Sequence, residues 1–109
     1  MNLSESSSSI ARLEALRLAT RRAVCEGPGH LPAELRAGLA AGDSPEGLGP
    51  LLQKVRLNAY KVSDADIAGL LREQGGAYSQ DEVFELMVST VVGAAQERLE
   101  AAMAALEAA

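Results

Sequence analysis

The chain has 109 residues, a formal net charge of −5 and a pI near 4.8. That length is one domain, and the negative balance argues against nucleic acid, whose phosphates require a positive field. One cysteine and one histidine exclude a disulfide within the chain and a Cys/His zinc site.

Ala and Leu supply 36 residues, and the aromatics are only Tyr60, Tyr78 and Phe84. Both are strong helix formers, and no stretch alternates with a period of two, so the fold class is all-α. No apolar run approaches the ~20 residues of a spanning helix, and Met1–Ile10 is polar rather than signal-like. These features predict a cytoplasmic protein without a membrane partner.

A polar tail over residues 1–9 leads into a first helix ending near Glu26, with Ser4–Ser9 as N-cap candidates. Its apolar stripe is Ile10, Leu13, Leu16, Thr20 and Val24, at the spacing of one helical face. Arg12, Arg17, Arg21 and Arg22 form a solvated basic face or a docking surface for an acidic partner. Gly27-Pro28-Gly29 breaks the helix, and a short one follows over Pro32–Ala41, stopped by Gly42. The next firm helix is Leu51–Val62. Ser63-Asp-Ala-Asp66 opens another, which carries Ile67, Leu70 and Leu71 to Gly75-Gly76.

Ser79-Gln-Asp-Glu82 is a capping box before the last helix, Gln80–Ala108. Phe84, Met87, Val88, Val91, Ala95, Leu99, Ala102 and Leu106 make its predicted stripe. At ~1.5 Å per residue it is about 40 Å long, more than a domain of this size needs. Part of its apolar face is therefore expected to meet another copy of the chain.

Chemistry-bearing residues are sparse. Asp64 and Asp66 lack a third ligand and are better explained as capping groups, so neither a metal nor a cofactor is expected. Cys25 suits a small buried apolar residue, and His30 an exposed loop residue. No nucleophile elbow, phosphate loop or dinucleotide fingerprint occurs. Tyr60 and Ser63 sit at a helix junction, but two hydroxyls make no nucleophile without a base.

From Val55 to Leu99 the residues VRLNAYKVSDADIAGLLREQGGAYSQDEVFELMV, and then GAAQERL, resemble the core of the carboxymuconolactone decarboxylase and alkyl-hydroperoxidase D superfamily. That core has a helix ending near Asn-Gly, then Cys-x-x-Cys-x-x-x-His opening the next helix. A Gly-containing turn, a short acidic cap and a long apolar helix follow. Here Asn58-Ala59 stands for Asn-Gly, the two cysteine positions hold Tyr60 and Ser63, and the histidine position holds Ile67, with Asp66 beside it. The upstream acidic position falls near Leu48, with Glu46 as its neighbour.

The resemblance implies a compact bundle of about five helices, assembled through the long helix as a dimer, trimer or hexamer. It also implies lost redox chemistry, because neither hydroxyl replaces a thiolate cycle. The decarboxylase branch carries polar and His residues in the corresponding helix, where this chain has Ile67, Ala68, Leu70 and Leu71. The expectation is a non-redox helical oligomer that binds a small apolar molecule or a protein partner, with Tyr60, Ser63 and Asp66 lining the pocket. The alternative is a peroxidase-type or decarboxylase-type enzyme using Cys25, or Asp66 with His30. It requires the Gly27–His30 loop to reach the Tyr60–Ser63 junction.

Overall fold

Serine, proline and glycine set most helix ends in the computed structural model, which describes residues 3–109, the side chains of residues 3–8 and 10 excepted. Among the described residues there are five α-helices: α1 (Leu3–Glu26), α2 (Ala33–Ala41), α3 (Gly49–Leu57), α4 (Asp64–Ala68) and α5 (Gln80–Ala108). Single 3-10 turns at Ala59–Lys61 and Arg72–Gln74 link them, and an isolated bridge joins Leu71 to Tyr78. The fold is all-α, with a long C-terminal helix, as composition predicts. Among the described residues no helix is long and apolar enough to cross a membrane.

Local chemistry explains most boundaries. Gly42 closes α2 in the left-handed region at φ 102°, which a side chain would strain. Ser63 and Ser79 each accept from the backbone N–H three residues on, and Asp66 and Glu82 return the bond. Three expectations need correction. The serine run read as a tail is helical from Leu3, because serine weakens a helix only modestly once it is nucleated downstream. The third helix stops at Leu57 rather than Val62, since Asn58 leaves the helical region at φ −147°. The fourth ends at Ala68, because the Leu70 carbonyl accepts from Tyr78 N–H and the Tyr78 carbonyl from Arg72 N–H.

Helix α5 is the spine, with α2 and α3 packed across it and α1 alongside. The core gathers Leu31, Leu39, Leu52, Leu70, Val83 and Leu86. The face that α5 buries is Val83, Leu86, Ser89, Thr90, Gly93 and Ala94, displaced from the predicted stripe. Phe84, Val91, Ala95, Ala102 and Leu106 are exposed. The reason is close approach. A Cβ at Gly93 would be driven into the backbone of Ala40, so the smallest residues, not the largest, mark the helix crossing. On α1 the predicted stripe is also largely open: Leu13, Leu16 and Thr20 are exposed, Val24 is half-buried, and the side chain of Ile10 lies outside the described residues. Arg17 holds α1 to α5 through Glu100 at 2.6 Å, and the Arg17 carbonyl accepts from Gln96 at 3.0 Å.

Candidate functional site

The positions matched to the cysteines and histidine of the family motif fall on the short segments between α3 and α5, and they do not form one pocket. Tyr60 stands on the 3-10 turn with 82 % of its surface exposed, Lys61 Nζ lying 5.9 Å from the ring centroid. Ser63 is the N-cap of α4. Its Oγ accepts from Asp66 N–H at 3.2 Å, while Asp66 Oδ2 accepts from Ser63 N–H at 3.0 Å and from Lys54 Nζ at 3.1 Å. Ser63 N–H and Lys54 together hold the Asp66 carboxyl below its ordinary range against a smaller desolvation penalty. A carboxylate stabilised this way is a weak base. Ile67 packs against the core, as does Leu48, while Glu46 is exposed.

The groups of the enzymatic alternative are likewise apart. Cys25 is buried, its Sγ 4.0 Å from the Arg36 carbonyl oxygen. His30 is an exposed loop residue, but it is not free: Nδ1 lies 3.2 Å from Glu85 and Nε2 3.6 Å from Asp81. Among the described residues no hydrogen bond or ion pair joins His30 to Asp66. Nor do three His, Cys, Asp or Glu side chains group there as metal ligands.

Two regions bring together what the sequence scatters. The first is an apolar face centred on Ala95. On one side of it a shallow groove of about 250 Å³ runs between α1 and α5, lined by Leu13, Leu16, Val92, Ala95 and Leu99. On the other side a second hollow of about 220 Å³ joins Val91, Ala94, Ala95 and Arg98 to Leu57 and Tyr60. Leu13, Leu16, Leu57, Tyr60 and Val91 are all large exposed apolar or aromatic side chains. Tyr60 was placed in the candidate site from sequence. Leu57 was not, and its only signal is its place one residue before the Asn58 break.

The second region is a cleft of about 510 Å³ between the end of α1, the Pro28–His30 loop and the first turns of α5. Arg36 is buried beneath it and donates to the carbonyls of Leu31 at 3.2 Å, Val24 at 2.8 Å and Gly27 at 2.5 Å. Glu85 faces Arg36 and accepts from the backbone N–H of His30 at 2.8 Å and of Leu31 at 3.2 Å. Burial pushes the Glu85 carboxyl up, but the His30 and Leu31 N–H groups and the His30 ring outweigh it and hold the carboxyl below its ordinary range. These two residues latch the glycine-rich loop onto α5. A Cβ at Gly29 would collide with Glu85 and press on the Arg36 guanidinium. No local sequence signal exposes the latch, because Glu85 lies 55 residues from His30. Comparison of the chain with protein-family models, with curated proteins and with solved structures finds no match.

Proposed function

We propose that this chain is a non-redox helical protein of the carboxymuconolactone decarboxylase and alkyl-hydroperoxidase D type that works as an assembly of identical subunits. The subunits meet through the face centred on Ala95. One observation carries the reading: α5 has two apolar faces, and the chain buries one of them while covering the other only in part. Val83, Leu86, Gly93 and Ala94 are buried, while Phe84, Val88, Val91, Ala95, Leu99, Ala102 and Leu106 continue along the other side. These steps average close to an 11-residue repeat, the spacing that keeps a stripe on one side of a nearly straight helix.

Charge supports a second copy as the occupant. Helix α1 carries four arginines against three glutamates, and α5 one arginine against six acidic residues; Arg17 and Glu100 already pair within the chain, which leaves Arg12, Arg21 and Arg22 as the α1 cations without an ion pair among the described residues. A two-fold docking that lays α1 of one subunit on α5 of the other pairs these faces twice. Transfer of a large apolar side chain from water yields roughly 1.5–3 kcal/mol. The leucines and Val91 of two subunits together are of the size needed to offset an association cost of roughly 4–15 kcal/mol. Tyr60, at the position where the family carries a redox cysteine, then serves as an aromatic contact.

Sedimentation of Ala95→Glu tests this reading. The new carboxylate sits at the centre of the face, on a residue exposed in the protomer, so the subunit still folds. The variant is expected to sediment as a monomer at concentrations where the parent chain is associated. An unchanged sedimentation coefficient and unchanged helicity would place assembly elsewhere.

A further inference from the structure

The open stripe of α5 has a centre. Its members stand at mirrored offsets from Ala95: Val91 and Leu99 four residues either way, Val88 and Ala102 seven, Phe84 and Leu106 eleven. An apolar stripe needs only steps of three or four residues, in any order. One whose spacing is the same read in either direction can meet its own copy position for position, once the copy is turned end over end about the centre. Side-chain size follows the same centre. Ala95 is small and exposed, which lets two helix axes approach to the lower end of the usual range of about 8–10 Å. The largest exposed side chains of the stripe, Phe84 and Leu106, stand about 16 Å to either side. Crossing axes have diverged there, and long side chains keep them in contact.

Charge separates the antiparallel arrangement from the parallel one. Helix α5 carries Asp81, Glu82, Glu85, Glu97, Glu100 and Glu107. Parallel copies set each acid against itself, and like charges opposed across an interface weaken it. Reflection about Ala95 sets the six against Ala109, Ala108, Ala105, Gly93, Thr90 and Val83, none with a charged side chain. It also lays the positive end of one helix dipole beside the negative end of the other. The fold leaves room for such a copy. Val24 borders the same cleft as Val88 while Arg17 pairs with Glu100, so α1 runs antiparallel to α5, with the open groove between them. We infer that α5 of one subunit packs antiparallel on α5 of a second, with the two-fold axis beside Ala95. Val91 then meets the partner subunit's Leu99, Val88 the partner subunit's Ala102, and Phe84 the partner subunit's Leu106. Each α5 lies along the α1–α5 groove of the other subunit. This inference rests on the assembly proposed above and fixes its orientation and register.

New single cysteines, oxidised with copper–phenanthroline and read on non-reducing gels, test the register, with the parent chain and its buried Cys25 as control. A cysteine beside the axis faces its own copy, so Ala95→Cys is expected to form a covalent dimer by itself. Val88→Cys and Ala102→Cys are each expected to stay uncross-linked alone, because either position lies about 21 Å from its own copy. Mixed in equal amounts, the two are expected to cross-link in about half of the dimers, the share that random assortment of subunits gives to mixed pairs. The pair Phe84→Cys and Leu106→Cys, both at exposed positions, repeats the test one turn further out. Sedimentation before oxidation shows which chains are associated. Associated chains that cross-link alone at Val88 or Ala102, or whose mixtures do not cross-link, overturn the antiparallel register and leave the assembly standing. A parent chain that does not associate overturns both.

Discussion

Glu85 joins three parts of the chain: its carboxylate accepts two backbone N–H groups of the α1–α2 loop and faces the buried Arg36. Charge-assisted bonds of this kind contribute roughly 1.5–3 kcal/mol each, so Glu85→Gln should lower stability by about 1–3 kcal/mol in chemical denaturation. The pH dependence follows from the direction of its shift. A carboxyl held below its ordinary 4.5 in the folded state adds stability above that pH, and the contribution fades as pH falls through the folded value. Thermal melts should therefore show the parent chain losing its advantage over Glu85→Gln as the pH falls below the ordinary 4.5. Gly93 acts by absence rather than by contact. Gly93→Ala drives a methyl into the Ala40 backbone, and a melt should report a loss of roughly 1–3 kcal/mol or more despite alanine's better helix propensity.

Among the helices, what was legible from sequence is what is decided locally. The cap of α5 needs only Ser79 and Glu82, three residues apart, and the structure closes that box with bonds of 3.1 and 2.8 Å. Ser79→Ala should cost about 1 kcal/mol, read by denaturation, with fraying confined to the first turn of α5 in hydrogen exchange. The left-handed glycine ending α2 and the Gly-Pro-Gly break after α1 are local signals of the same kind. The face that α5 buries is not local. Its two sides are both apolar, and choosing between them requires knowing that α2 crosses at Gly93. The larger side chains pointed to the wrong side. The fourth helix was overextended for a related reason: Leu70 and Leu71 fit a helical period, yet their backbone is claimed by Tyr78 and Gly76 across a turn.

For the whole molecule, the candidate site was only partly legible. Tyr60 does border the apolar face, but Ser63 and Asp66 close on each other and on Lys54 instead of lining a pocket. The His30 latch and the Ala95 face depend on pairings across more than 30 residues, which no motif encodes. The chain measures 56 × 29 × 20 Å, and α1 and α5 run beside each other with their apolar sides only partly matched. Such a shape leaves surface that a second subunit would cover. The extreme C-terminal turns, with Leu106 exposed, extend the same stripe. Native mass spectrometry of the purified chain tests the central claim most directly. The account predicts one discrete assembly of identical subunits, converted to monomer by Ala95→Glu. A monomer at all concentrations for the unsubstituted chain would contradict it.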